Sequence, residues 1–210
     1  MKFKAYLNED KNIALAISET IKKDCRVYLN MISRLPKGSM LMRGSRERIP
    51  YFKMMTPRID RLPSDMPMPY HTAFDEAFAK KVGWKVRSEG VFCSLDPSQA
   101  ADYTKHIGNV YFCFPIGKFK YTFNKEVGDL WTEVLDKFIE KMWCETDPYP
   151  PVEPEFIDKL VKGYKTSGWP PANSEIEIAI KCNKYYLVDG EITYELMGIF
   201  GMKDKMPSIW

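Results

Sequence analysis

The prolines constrain the fold of this chain more than any other feature, because they limit where helices and sheets can form. Five of the 15 prolines fall between residues 47 and 70. Proline has a fixed φ and no backbone N–H to donate, so this segment holds neither a long helix nor a central strand. Its aromatic residues and methionines predict an ordered functional loop. Shorter proline-containing breaks are predicted at 146–154 and in the loop 165–174.

Hydrophobic residues at helical spacing predict the helices that lie between these breaks. Phe74 and Phe78 lie on one face of the second helix, and Gly83 is placed to end it. Asp96 is placed to cap the start of the third helix. The predicted helices cover residues 10–35, 72–82, 97–106, 127–144 and 155–164.

Short runs of β-branched and aromatic residues predict strands. The runs at 110–116 and 119–123 are expected to form a hairpin around Gly117 and Lys118, and Asn183 to make the turn before the last strand. The predicted strands cover residues 39–44, 91–94, 110–116, 119–123, 175–180 and 185–188. The fold class is therefore α+β, with helices in the first half and near the middle and antiparallel strands gathering toward the end.

Length and composition indicate a single globular domain. The chain has 210 residues, of which 45% are hydrophobic and 28% charged. A chain of this size forms one core, so residues 1–210 are expected to make one domain, with a helical segment over 1–37 and the core over 38–210. The sequence carries no indication of an oligomeric state.

Charge and cysteine usage exclude several classes of function. A net charge of +3 is too small to indicate nucleic-acid binding by bulk electrostatics. The arginines between Arg43 and Arg61 form either a local basic patch or an ordinary solvated surface. The five cysteines match no zinc spacing and predict reduced thiols in a cytosol-like compartment. His71 and His106 are too far apart in sequence to suggest a metal site, and no apolar stretch is long enough for a membrane span.

Two carboxylates stand at the start of the strand predicted at 175–180. Glu175 and Glu177 are two residues apart, which in a strand places both on one face. They follow the loop that contains Trp169, where a substrate could reach them. Such a pair can divide its work, since one carboxylate stabilises a positively charged sugar while the other orients a nucleophile. An exposed strand face with solvated glutamates is the alternative interpretation.

Two shorter motifs carry groups that suit an anionic ligand and a carboxylate. Arg43 emerges from the first predicted strand, and Gly44 behind it lets a ligand approach the backbone. A guanidinium makes bidentate contacts with pyrophosphate, although a surface salt bridge is the alternative. Ser94, two residues after Phe92, can hold a carboxylate by one hydrogen bond or serve as a helix-capping residue.

The order of these motifs resembles the mono-ADP-ribosyltransferase superfamily of the Arg-Ser-Glu class. That class includes cholera-like and clostridial-type toxins, arginine-specific transferases and several bacteriophage enzymes. The matching places are Met42-Arg43-Gly44, Gly90-Val-Phe-Cys-Ser94 and Ser174-Glu-Ile-Glu177, which span most of the chain. The sequence departs from the family at Met42, where an aromatic residue is common, and at Cys93, where threonine or serine is usual.

The resemblance implies a role for each matching residue. Arg43 would bind the phosphates or ribose of NAD, Gly44 its nicotinamide amide, and Phe92 would lie at the same site. Ser94 would position Glu177, the catalytic glutamate that stabilises the oxocarbenium ion. Glu175 would engage the acceptor, and Trp169 would lie in the loop that recognises the acceptor protein. The implied fold is a split antiparallel β-sheet core with flanking helices.

The resemblance also implies an activity, which is NAD-dependent transfer of ADP-ribose to a protein acceptor on arginine. NAD would be a co-substrate, no metal would be needed, and the setting would be host modification by a bacteriophage enzyme in the host cytoplasm or the virion. Two related activities are alternatives, which are transfer of ADP-ribose to a nucleic acid and hydrolysis of NAD. A non-catalytic interaction or virion-associated protein that retains the transferase fold is the alternative from another class. The proline-containing segment 47–70 is either a lid over NAD or a docking surface.

Overall fold

The protein has a mixed α+β fold with two antiparallel sheets. Its structure, a computed structural model, describes residues 2–63, 66–102, 104, 109–135 and 152–207, with side chains from residue 9 onward. The strands are β1 (Met42–Gly44), β2 (Phe52–Met55), β3 (Val91–Cys93), β4 (Val110–Pro115), β5 (Lys120–Phe123), β6 (Ile178–Lys181) and β7 (Tyr185–Val188). The helices are α1 (Lys2–Asp24), α2 (Arg26–Ile32), α3 (Met68–Val82), α4 (Val86–Glu89), α5 (Pro97–Asp102), α6 (Pro154–Lys162) and α7 (Gly190–Ile199), with a 3₁₀ turn at Lys203–Lys205. Residues 130–135 are also helical.

The larger sheet has four strands in the order β1-β4-β7-β2. Its central strands β4 and β7 are almost fully buried, because α1 and α7 pack together beside this sheet and share one hydrophobic core with it. The core residues of α1 are spaced at helical intervals, as in Ala14, Ile17 and Ile21. Strand β2 is at the edge, and its residues are at least partly exposed.

The smaller sheet has three strands in the order β3-β6-β5 and lies between two cores. Val91, Ile178 and Ile180 belong to the core shared with the larger sheet, whereas Phe92 and Ala179 belong to a second core. That second core is formed chiefly with α3 and α6. Since both faces of the smaller sheet are covered, its strands carry apolar residues on both sides.

Several local predictions are confirmed. Helix α3 ends at Val82, and Gly83 adopts the left-handed conformation at φ 78° that the end of a helix favours. Asp96 accepts a hydrogen bond from the Gln99 backbone N–H at 2.9 Å and so caps α5. The helix predicted at 10–35 begins earlier, at Lys2, and is interrupted at Cys25.

The hairpin predicted around Gly117 and Lys118 is wrong. Strand β4 pairs with β1 and β7, whereas β5 pairs with β6 in the other sheet. The chain does turn at Gly117, which has a φ of 68°, and the Gly117 N–H donates to the Asp24 carbonyl at 2.7 Å. The turn therefore passes the chain from the larger sheet to the smaller one. Strand β4 pairs with β1 and β7 before the turn, and β5 pairs with β6 after it.

The distribution of strands along the chain also differs from the prediction. Strands gather throughout residues 42–188 rather than toward the end, and five of them precede residue 124. The later part of the helix predicted at 127–144, most of the break at 146–154, Cys144 and His106 lie outside the described residues. Within the described residues the free thiols are Cys25, Cys93, Cys113 and Cys182, all buried. No helix in that part of the chain combines the length and apolar character needed to cross a lipid bilayer.

A buried tyrosine connects α2 to the segment that precedes β1. The Tyr28 hydroxyl accepts a hydrogen bond from the Leu41 backbone N–H at 2.8 Å, and both residues are fully buried. Burial raises the pKa of Tyr28 well above its usual value, so the neutral hydroxyl is retained. This contact fixes the path of the chain two residues before Arg43.

We expect Tyr28→Phe to lower the free energy of unfolding by about 1–3 kcal/mol, because it leaves the buried Leu41 N–H without its acceptor. Urea denaturation measures the change. Tyr194→Phe is the control, since Tyr194 is 38% exposed and should change stability by less than about 0.5 kcal/mol. Equal effects of the two substitutions would show that the Tyr28 contact does not contribute.

Candidate functional site

The two sheets meet where β1 passes the end of β3. Met42 and Ser94 form an isolated antiparallel bridge, in which Met42 N donates to Ser94 O at 2.8 Å and Ser94 N donates to Met42 O at 2.9 Å. Strand β3 pairs on its other side with β6, and Cys93 stands opposite Ile178. Residues that neighbour these pairs, Arg43 and Glu177 among them, therefore come together at one junction.

Ser94 and Glu177 lie beside each other just beyond the last pair between β3 and β6, Cys93 with Ile178. Phe92 stands opposite Ala179, and Ser94 and Glu177 are each two residues along from that pair. Ser94 is fully buried and Glu177 is 5% exposed, so both lie beneath the protein surface.

Arg43 reaches β3 through its side chain. Its Nη1 donates to the Phe92 carbonyl at 2.5 Å, and the residue is half-buried. Gly44 is buried at the end of β1, opposite Val110. The guanidinium of Arg43 thus lies against the backbone of the strand that leads to Ser94.

A chain of hydrogen bonds joins Ser94 to the backbone of Glu177. The Ser94 hydroxyl donates to Gln99 Oε1 at 2.5 Å and accepts from the Asp96 N–H at 3.0 Å. Gln99 Nε2 donates to the Gly128 carbonyl at 3.1 Å, and that carbonyl also accepts from the Glu177 N–H at 3.0 Å. Ser94 therefore acts on Glu177 through Gln99 and Gly128, whereas the predicted direct bond from the Ser94 hydroxyl to the Glu177 carboxylate is not made.

The Glu177 carboxylate forms a buried ion pair that the sequence did not indicate. Arg87 Nη1 lies 3.2 Å from Glu177 Oε1, and their side chains are 13% and 5% exposed. The same guanidinium stacks on the Phe92 ring, 4.6 Å from its centroid, and the Arg61 guanidinium lies 4.7 Å from that centroid. Two guanidinium groups thus lie against one buried ring, and one of them also pairs with the Glu177 carboxylate.

Asp75 positions Arg87 by capping the helix that carries it. Asp75 Oδ1 accepts from the Arg87 backbone N–H at 2.7 Å, and Asp75 Oδ2 accepts from the Ser88 N–H at 3.2 Å and from the Ser88 hydroxyl. These N–H groups lie in the first turn of α4, whose own N-cap residue makes no side-chain cap. A carboxylate at a helix N-terminus stabilises that end through its N–H groups and the helix dipole.

His71 completes this buried cluster. His71 Nε2 lies 3.1 Å from Ser88 Oγ and 3.6 Å from Asp75 Oδ2. Because the Ser88 hydroxyl already donates to Asp75, Nε2 carries the proton and donates to Ser88. Burial lowers the pKa of His71 against the opposing effect of Asp75, and its Nδ1 has no hydrogen-bond partner among the described residues. His71 is therefore neutral near pH 7 and part of the scaffold for α4.

The prediction that Glu175 and Glu177 share one strand face is wrong. Strand β6 begins at Ile178, so both glutamates precede it, and Glu175 is exposed while Glu177 is buried. The partner strands β3 and β5 both end opposite Ile178, at Cys93 and Phe123. The segment 175–177 has no neighbouring strand to hold it in a pleat, and the two carboxylates have different surroundings.

Trp169 is held against the protein rather than extended into solvent. Its indole N–H donates to the Ser39 carbonyl at 3.1 Å, and its ring meets Tyr121 edge-on at 5.0 Å. The Tyr121 hydroxyl in turn donates to the Gly168 carbonyl. These contacts fasten the loop 165–174 to the segment before β1. An acceptor role for Trp169 stays a prediction.

The sequence motifs missed Arg87, Arg61 and Gln99. Asp96 and Gln99 have the spacing of a capping box, which predicts where Gln99 lies in α5 but not that its side chain turns to Ser94. For Arg87, the only signal was a basic residue four positions after Gly83. Its pairing with Glu177 depends on the contact between α4 and β6, which no local pattern encodes.

Comparison with known proteins does not assign the chain to a family. No protein-family model, curated protein or solved structure matches it. The description of the site therefore rests on its own geometry and on the motifs in the sequence. Among the described residues, no group of three or more histidine, cysteine, aspartate or glutamate residues is placed to hold a metal ion.

We expect Arg87 and Glu177 to be energetically coupled. A double-mutant cycle with Arg87→Ala and Glu177→Gln should give a coupling free energy above about 1 kcal/mol, because the pair is largely shielded from water. The exposed pair Lys53 and Glu47, 2.7 Å apart, is the matched control and should give less than about 0.5 kcal/mol. Coupling of similar size in both pairs would contradict a structural role for Arg87.

Protonation of His71 should destabilise the fold. Its pKa is lowered from 6.5, so the unfolded chain binds the proton more readily. The contribution of neutral His71 to the free energy of unfolding is therefore fully present above pH 6.5 and is lost as the pH drops through 6.5 toward and below the folded pKa. Urea denaturation between about pH 7.5 and 5.5 should give a flatter profile for His71→Gln than for the wild type. Identical profiles would show that His71 contributes nothing to this dependence.

Proposed function

We propose that this chain is an NAD-dependent mono-ADP-ribosyltransferase. One observation carries the proposal, which is that Arg43, Ser94 and Glu177 meet at the junction of the two sheets although they are far apart in sequence. These are the positions that the motifs resembling the Arg-Ser-Glu class assign to NAD binding and catalysis. The edge-to-edge junction of two antiparallel sheets supports the split core of that class.

Glu177 is the residue we place at the reacting ribose. In the reaction, the bond between the nicotinamide nitrogen and ribose C1′ breaks, and nicotinamide leaves with the bonding electron pair. The acceptor nucleophile then bonds to C1′ and loses its proton. The ribose passes through an oxocarbenium-like state, which a nearby carboxylate stabilises electrostatically. The hydrogen bonds from Ser94 through Gln99 and Gly128 hold the Glu177 backbone for this purpose.

Arginine side chains supply the charge that the pyrophosphate of NAD requires. Arg43, Arg61 and Arg87 all contact Phe92, through its carbonyl or its ring. Guanidinium groups bind phosphate oxygens in bidentate fashion. In this proposal Arg87 exchanges the Glu177 carboxylate for a phosphate when NAD binds, and the exchange releases Glu177 toward the ribose. Gly44 and Phe92 line the same site.

The exposed glutamate suits a macromolecular acceptor. Glu175 is exposed, whereas Glu177 is buried, so Glu175 can meet a protein acceptor at the surface. The resemblance points to an arginine as the modified residue, within the host cytoplasm. A nucleic-acid acceptor draws its support from Arg46, Arg48 and Arg58, which are exposed.

A second candidate function is that of a non-catalytic binding protein that keeps this architecture. It is favoured by the burial of the two central residues, since Ser94 is fully buried and Glu177 is 5% exposed. The Ser94 hydroxyl and the Glu177 carboxylate both make internal contacts. In that case the junction would serve stability alone.

Turnover of labelled NAD in host extract tests the proposal. We expect Glu177→Gln to reduce NAD consumption by roughly a hundredfold, because it removes the charge opposite the oxocarbenium ion. Glu175→Gln should still cleave NAD but should lose transfer of label to a macromolecule. Glu19→Gln is the control, because Glu19 is exposed on α1 and should leave turnover unchanged.

Three other outcomes would reject the transferase. Free nicotinamide without labelled macromolecule in the wild type would indicate an NAD glycohydrolase. Absence of NAD consumption in the wild type would favour the non-catalytic protein. Equal NAD consumption by wild type and Glu177→Gln would show that the chemistry does not depend on this carboxylate.

A further inference from the structure

A pocket of about 380 Å³ lies apart from the junction of the sheets. It is formed by the C-terminal end of α3, the strand β5 with the residue before it, and the loop that follows α6. Its lining includes Lys81, Trp84, Phe119, Lys120, Tyr121 and Thr166. Pockets that hold small organic ligands begin at about 300 Å³, so this one has room for a single small molecule or one unit of a polymer.

The pocket is at the opposite end of β6 from Glu177. Lys120 in the pocket wall stands opposite Lys181, the last residue of β6. Lys181 is four residues after Glu177, a separation of about 13 Å in an extended chain. The pocket is therefore distinct from the candidate site around Arg43 and Glu177.

The pocket carries positive charge that the described residues do not neutralise. Lys81 and Lys120 are both exposed, and neither forms a salt bridge within the described part of the chain. Lys181, which faces Lys120 across the strands, is paired with Glu89. The positive charge of the pocket that the described residues leave without a salt bridge is therefore that of Lys81 and Lys120.

Aromatic rings and hydrogen-bonding groups complete the pocket. Phe119 and Tyr121 are two residues apart, and their ring centroids are 6.3 Å apart. The indole N–H of Trp84 is buried in the wall and has no acceptor among the described residues. Thr166 makes no hydrogen bond to the described part of the protein, so its hydroxyl is available to a ligand.

We propose that this pocket binds a nucleotide unit, with its phosphate at Lys81 and Lys120 and its base against the aromatic wall. Lysine ammonium groups bind phosphate as point charges, and bases stack on aromatic rings with little dependence on sequence. The unit can be a free mononucleotide or one residue of a single strand. This proposal does not depend on the transferase activity.

Intrinsic tryptophan fluorescence gives a direct titration, with AMP and a short oligothymidylate as the two probes. We expect at least one of the two probes to bind. Lys81→Glu with Lys120→Glu should weaken that binding by roughly tenfold or more, because the phosphate loses two cations. The control is Lys11→Glu with Lys23→Glu, which makes the same charge change at exposed positions on α1. It should bind within about twofold of the wild type, since the lost cations lie outside the pocket.

Further variants separate this site from the rest of the molecule. Phe119→Leu should weaken the binding of AMP more than the binding of inorganic phosphate, because only AMP has a base that contacts the Phe119 ring. Glu19→Gln, which changes an exposed residue of α1 outside both sites, should bind both probes as the wild type does. Binding of AMP alone would identify a mononucleotide site, and binding of the strand alone a nucleic-acid site, each within the proposal.

Four results would overturn the proposal. They are absence of binding by both probes, equal loss of binding in the pocket and control variants, equal affinity for inorganic phosphate and AMP, and tighter binding of polyglutamate than of the strand. Circular dichroism of each variant excludes misfolding as the cause of a loss.

Discussion

The bridge between Met42 and Ser94 is the interaction on which the arrangement of the site depends. Its two backbone hydrogen bonds join the edge of the larger sheet to the edge of the smaller one. The connection sets Arg43, in the larger sheet, beside β3, which pairs with the strand that follows Glu177. Backbone pairing is well suited to this role, because its geometry does not depend on which side chains the two residues carry.

Around this bridge, buried polar groups hold one another in a fixed order. Asp75 caps α4, α4 presents Arg87, and Arg87 pairs with Glu177 while stacking on Phe92. A buried charge is costly unless it is paired and hydrogen-bonded. The buried Glu177 carboxylate therefore depends on Arg87, and the position of Arg87 depends on the cap that Asp75 provides. The same arrangement serves either function considered above, since a fixed carboxylate can stabilise a cationic ribose or simply a fold.

Local signals in the sequence predicted local structure well. The end of α3 at Gly83 and the cap of α5 at Asp96 follow from the conformational freedom of glycine and the hydrogen-bonding reach of a short carboxylate. Pairing between strands was predicted poorly. Strands β4 and β5 are adjacent in sequence and separated by a glycine turn, yet each finds its partners in a different sheet. Turn residues indicate where a chain reverses, whereas pairing depends on which apolar faces are left to cover.

The sequence by itself determined the α+β class, the positions of most short elements and the order of the residues that define the candidate site. Tertiary structure alone decided that Glu175 is exposed while Glu177 is buried. It also decided that Arg87 pairs with Glu177 and that Gln99 connects to the Glu177 backbone through Gly128. The reason is physical. Hydrogen-bond capping and helical periodicity act within a few residues, but burial and ion pairing depend on contacts between α4, β3 and β6 that exist only after the sheets have joined.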